Sequence, residues 1–313
     1  MSTDMSRADS LLECEDCVAP ADAFSLVGDE TRLAILEALW RLETPARFSE
    51  VRAEVGSADS ARFNYHLGKL TETFVRKTEA VPESSDSGAR GSSSRGGYEL
   101  RTAGRRVVQA VLAGSFTEHP SREIPMDDAC TACGATLRAN YDDEQLAVAC
   151  PDCGRGHGEY PFPPGGLHDR TDAEVLAAFD QRVRHLHCLA KDGVCPECGG
   201  RMKTHIERGG DCCLDADLRA VNACRQCDHE LCSAVGLSLL DQSDVVSFYR
   251  DHGLKLSDTP YWRFEWCVSD GPVEVLSEDP WRLAVGMTAG DERLRVEVDG
   301  ELTVLDARRA PAE

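Results

Sequence analysis

Cys130-x2-Cys133 and Cys150-x2-Cys153 stand sixteen residues apart, and this spacing constrains the chain more than any other feature of the sequence. Two such pairs supply four thiolates for a tetrahedral zinc site, each pair forming a knuckle. Gly134 and Gly154 follow the second cysteine of each pair, where a tight turn brings backbone amides toward sulfur. Residues 135–149 are expected to form the strands of the ribbon. A second group begins with Cys195-Pro196-Glu197-Cys198-Gly199 and continues twenty-five residues later with Cys224-Arg225-Gln226-Cys227. This is a longer interval that a long hairpin can span, and Asp228 stands where a glycine is expected. Two structural Zn2+ ions are therefore expected, one on Cys130, Cys133, Cys150 and Cys153, the other on Cys195, Cys198, Cys224 and Cys227. Closed four-cysteine sites leave no open coordination position, which argues against metal catalysis.

The chain has 15 cysteines in 313 residues. Disulfides are disfavoured in a reducing compartment, and no secretory leader or long apolar run is evident, so a cytoplasmic location off the membrane is expected. Cys188 and Cys267 read as core, and Cys212, Cys213 and Cys232 as spare ligands or small buried hydrophobes. Cys14-x2-Cys17 is a lone pair in a tail.

The net charge is -21, from 34 basic and 55 acidic residues. Acidity on this scale, with few lysines, suits a halophilic archaeon, where molar salt shortens electrostatic range to about 3 Å. Residues 57–109 depart from it, with nine Lys or Arg against six Asp or Glu, a local +3. That asymmetry marks a candidate nucleic-acid face.

The same region has helical periodicity. Asp29 can cap a helix carrying Leu33, Ile35, Leu36, Leu39 and Trp40, and Ser49 one carrying Val51 and Val55 that Gly56 stops. Asp59 or Ser60 caps a third, with Phe63, Leu67, Leu70 and Phe74 along one face. Two strands follow at 75–81 and 98–101 around a Ser/Gly-rich tip, then a helix over 102–115. This is the order of a winged helix-turn-helix. The strings Leu26-Val27-Gly28-Asp29-Glu30-Thr31-Arg32-Leu33-Ala34-Ile35-Leu36 and Phe63-Asn64-Tyr65-His66-Leu67-Gly68-Lys69-Leu70 resemble the haloarchaeal ArsR-like regulators. The resemblance covers roughly the first third of the chain. It implies a homodimer on double-stranded DNA, with helix 59–74 in the major groove and wing 82–97 on the flanking groove. Ser60, Ala61, Arg62, Asn64, Tyr65 and Lys69 are the candidate contacts on the helix, and Arg90 and Arg95 on the wing. His66 reads as a structural hydrogen-bonder. The helix at 48–55 lacks the cysteines of metal-sensing ArsR proteins, so that sensor is not implied. Val107 and Val111 are the candidate dimer contacts.

The expected fold is α+β and multidomain. Its segments are an acidic tail (1–19), a winged helix-turn-helix (20–117), a zinc ribbon (126–160), a linking helix (170–191), a second ribbon (192–233), and a helix with antiparallel strands (234–309). In the last segment a helix is expected over 238–251. Trp262, Phe264, Trp266 and Val268 alternate with polar residues as in a half-buried strand, and Asp299-Gly300 reads as a two-residue hairpin turn. The aromatics here read as core filling.

No phosphate-binding loop, His-Glu-x-x-His or nucleophile elbow is present, and His185 and His187, two apart on a helix, point in different directions. The chain is read as a non-enzyme with no small-molecule substrate: a sequence-specific transcription regulator. The alternatives are a zinc-dependent adaptor protein and a thiol redox-sensing regulator.

Overall fold

Apolar residues at helical spacing set the first part of the chain. The computed structural model describes residues 18–79, 96–209 and 216–312, and the chain divides into two units, Met1–Thr117 and Glu118–Glu313. Arg90 and Arg95, most of the expected wing, the tail with Cys14 and Cys17, and Cys212 and Cys213 lie outside the described residues.

In the first unit, helices α1 (Pro20–Val27), α2 (Glu30–Arg41), α3 (Phe48–Val55) and α4 (Ser60–Leu70) precede strands β1 (Val75–Thr78) and β2 (Gly97–Leu100) and helix α5 (Thr102–Leu112). The caps follow local chemistry. Asp29 accepts from the Arg32 amide, and Asp59 accepts from the amides of Ala61 and Arg62. Helix α3 starts one residue before the expected Ser49, because the Glu50 carboxylate accepts from the Arg47 amide at 2.7 Å. Ile35, Leu36, Leu39, Val51, Phe63, Leu67, Leu70, Phe74 and Val108 share one core. Trp40, expected inside, is 40% exposed, and the smaller Ala38 is buried instead. β1 and β2 are antiparallel, and Ala46 bridges to Tyr98 with both backbone bonds made.

The second unit contains three antiparallel sheets. Strands β3 (Arg122–Ala129), β4 (Thr136–Asp142), β5 (Gln145–Ala149) and β6 (Gly156–Pro161) pair in sequence order. Helix α6 (Asp172–Lys191) follows, opened by a capping box between Thr171 and Glu174. Then come β7 (Met202–Arg208), β8 (Leu218–Cys224) and β9 (Glu230–Ala234), a 3-10 turn (Val235–Leu239), and helix α7 (Ser243–Asp251). Strands β10 (Val273–Glu278), β11 (Trp281–Ala289), β12 (Glu292–Asp299) and β13 (Val304–Pro311) form the last sheet. One continuous apolar core joins all three sheets with α6 and α7.

Three expectations for the C-terminal part fail. Residues 261–268 are not a strand but a 3-10 turn (Tyr261–Arg263) and a short helix, α8 (Glu265–Val268). A strand would direct Cys267 away from the face of Trp266, yet Trp266 and Cys267 are both buried, which a helical turn permits. Asp180 accepts from the Tyr261 amide and Asp128 from the Trp262 indole, fixing that turn. Second, Asp299-Gly300 begins a loop over 300–303. The Asp299 carboxylate accepts from the amides of Glu301 and Thr303, a local turn that competes with the tight hairpin. The two-residue turn is Gly290-Asp291, between the paired Ala289 and Glu292. Third, the helix expected over 238–251 divides into the 3-10 turn and α7.

His187 on α6 is fully enclosed, its ring edge-on to Tyr160, and neither ring nitrogen has a hydrogen-bond partner among the described residues. Burial lowers its pKa from 6.5 to about 4. The folded chain therefore holds it neutral where the unfolded chain takes up a proton. Stability is complete above pH 6.5 and falls as pH drops toward 4, by on the order of 3 kcal/mol from this group. Denaturant titrations across that range are expected to show a shallower acid loss for His187→Leu than for the parent. Parallel profiles would show that His187 is charged or hydrated in the fold.

Candidate metal centres and nucleic-acid interface

The two cysteine groups are built alike. Cys130 directly follows β3 and Cys150 directly follows β5, each opening a turn that returns the chain into β4 or β6. In the second group, Cys195 and Cys198 precede β7, Cys224 ends β8 and Cys227 precedes β9. In every knuckle the first cysteine is buried and the second exposed. The amide of each first cysteine donates across the turn: Cys130 to Ala135, Cys150 to Arg155, Cys195 to Gly200 and Cys224 to His229, at 2.7–2.9 Å. The residue after the second cysteine is left-handed in all four, with φ of 77° at Gly134, 76° at Gly154, 73° at Gly199 and 55° at Asp228. Asp228 thus fills the glycine role, as a short polar side chain can.

Within each group all four sulfurs lie within 4.8 Å of one another. Cys130 and Cys153 are 3.7 Å apart and Cys133 and Cys150 3.5 Å; Cys195 and Cys227 are 3.7 Å apart and Cys198 and Cys224 3.5 Å. These separations are far beyond a disulfide and all eight thiols are free. A tetrahedron with metal–sulfur bonds of about 2.3 Å has edges of about 3.8 Å, which these distances match. Both groups can therefore hold a metal ion.

Backbone amides supply the positive side of the site, a contribution that residue types alone do not display. The amides of Ala132, Gly200 and Gln226 point at the sulfurs of Cys130, Cys198 and Cys224, at 3.4, 3.3 and 3.2 Å. Backbone donation from Cys153 lowers the Cys150 thiol to about 7, and donation from Gly200 lowers Cys198 to about 7. One thiol in each group is thereby favoured as thiolate. The remaining cysteines stand apart. Cys267 is core, and burial raises its thiol well above the ordinary value. Cys188, expected in the core, is only partly buried and donates to the Asp241 carboxylate at 3.3 Å.

Helix α4 presents the other candidate surface. Ser60, Ala61, Arg62, Asn64, Tyr65, Gly68 and Lys69 are exposed, while Phe63, His66, Leu67 and Leu70 are buried. Arg62 makes no ion pair among the described residues, and the Lys69 ammonium lies 5.6 Å from the centre of the Tyr65 ring. His66 is buried with Nδ1 3.3 Å from the Asp29 carboxylate, but Nδ1 makes no hydrogen bond among the described residues, so the expected structural hydrogen bond is not seen there. Sequence reading passed over Arg47 and Lys77, exposed cations beside the β1–β2 sheet without ion pairs among the described residues. No helix among the described residues is long and apolar enough to cross a membrane.

Elemental analysis of the purified chain is expected to find two metal equivalents. Cys133→Ser with Cys153→Ser should leave about one. A folded parent chain with metal content near zero would remove both sites.

Comparison with known proteins finds matches to two family models. Residues 20–111 match a domain of unknown function, DUF7347, and residues 127–304 match a second domain of unknown function, DUF7351. No curated protein and no solved structure matches the chain. The second match spans both cysteine groups and more than half of the 313 residues, so the chain belongs to the DUF7351 family.

Proposed function

We propose that the chain is a DNA-binding transcription regulator of ArsR-like type, with a winged helix-turn-helix in residues 20–117 and structural zinc in both cysteine groups. The observation that carries this reading is the outer face of α4. In a chain with 55 acidic residues, the eleven residues of α4 contain none, and its exposed side carries Arg62, Asn64, Tyr65 and Lys69. Arg matches the guanine edge, Asn the adenine edge, and Ala61 and Gly68 allow close approach. The apolar stripe holds the helix on the core, so that face is fixed before any partner arrives. Arg47 and Lys77 fit phosphate contacts, which position the protein without reading sequence.

Zinc fits the four-thiolate sites better than a hard cation would, since thiolate is a soft ligand. A closed site contributes folding free energy, not reactivity. Homodimerisation is part of the same proposal, because two copies of a short recognition helix on a pseudo-palindrome bind more tightly than one. Leu112 at the end of α5 is 58% exposed, while Val107 packs on the core of the first unit and Val111 is half-buried, so Leu112 is the more accessible apolar contact on α5.

Genome-wide mapping would supply an operator, and anisotropy titrations on that fragment test the reading. Arg62→Ala is expected to cost about 1–3 kcal/mol and to relax preference at one base pair. Lys69→Ala should weaken all sequences alike and reduce the salt slope by about one. Absence of binding by the folded, metal-loaded chain, or unchanged binding in both variants, would overturn it. Zinc should account for both metal equivalents; iron in their place would overturn that assignment.

A further inference from the structure

Helix α6, the 3-10 turn Val235–Leu239 and helix α7 border a cavity of about 300 Å³ in the second unit. That volume is at the small end of ligand pockets. Its lining is mainly apolar, with Leu237, Leu240, Leu254 and Leu256 contributing side chains. Ser238 breaks that pattern. It lines the cavity, is 4% exposed, and its hydroxyl has no hydrogen-bond partner among the described residues. The Ser238 oxygen itself has almost no accessible surface, so its unmet hydrogen bond is a cost held within the wall, and the cavity presents mainly its leucines.

The charges around the cavity point to the sign of that ligand. Arg184, Arg250 and Lys255 line it against one acid, Asp241, in a chain of net charge -21. Arg184 is committed to Asp180 and to the Thr259 carbonyl, and Asp241 is held by Lys191 and the Cys188 thiol. Arg250 makes no ion pair among the described residues. Lys255 meets only Asp258, at 3.6 Å, with both side chains well exposed. Water in the cavity would leave the apolar walls and Arg250 unmatched.

We propose that this cavity binds a small amphipathic carboxylate, its apolar body against the leucines and its charge balanced by Arg250 and Lys255. The cavity belongs to the second unit and none of the eight clustered cysteines lines it, so its occupancy does not depend on the chain binding DNA.

Calorimetric titration of the full, metal-loaded chain with octanoate tests this, with octanol as the uncharged control. One saturable site is expected for octanoate, with octanol at least tenfold weaker. Arg250→Ala combined with Lys255→Ala should weaken octanoate about tenfold and leave octanol unchanged. Val246, which is 37% exposed and lines the cavity, offers a block: Val246→Trp should abolish binding without lowering the unfolding midpoint. The proposal is overturned by no saturable octanoate binding to the folded parent. Equal affinity for octanoate and octanol would also overturn it, as would octanoate binding that survives Val246→Trp.

Discussion

The second unit depends on sulfur atoms being brought together by turns that cannot close without a left-handed residue. In each of four knuckles the chain reverses within a few residues, between two strands in three of them and between the bridged Val194 and Arg201 in the Cys195 knuckle, so the adjoining strands are held in register from one end. Four unscreened thiolates at 3.5–3.7 Å would repel one another, and backbone amides aimed at the sulfurs offset part of that repulsion. A bound cation would offset the rest. The sheets therefore inherit their geometry from the cysteine groups as much as from their own apolar faces.

The parts legible in the sequence are those where local chemistry is decisive. Cys-x2-Cys spacing dictates which sulfurs meet, whatever the surrounding fold. The period of Phe63, Leu67 and Leu70 dictates which side of α4 faces outward, and Asp59 dictates where that helix begins. Asp228 shows a local rule applied too narrowly, because the turn requires a backbone conformation and glycine is only its commonest supplier.

What sequence could not show was decided by distant residues. The alternation at Trp262, Phe264 and Trp266 imitates a strand, but Asp128 and Asp180, far away in sequence, capture the Trp262 indole and the Tyr261 amide and wind the segment into turns. β3 was hidden by Pro125 and β6 by Gly156 and Gly158, residue types of poor strand propensity whose pairing is imposed by the knuckles they adjoin. Trp40 failed for a simpler reason: periodicity ranks residues by angle, while Ala38 fits the space available beside α3. The cavity around Ser238 likewise has no signature in spacing, since its walls come from three separate elements.

The shared core of the second unit has a thermodynamic consequence. Residues near both cysteine groups, including Cys130, Cys150, Cys195 and Cys224 themselves, belong to one continuous apolar cluster. With both sites loaded, the folded state would bind two ions that the unfolded chain holds far more weakly, so its free energy would fall with twice the logarithm of free metal concentration. The stability of the whole unit, and not only that of the knuckles, would then depend on metal supply.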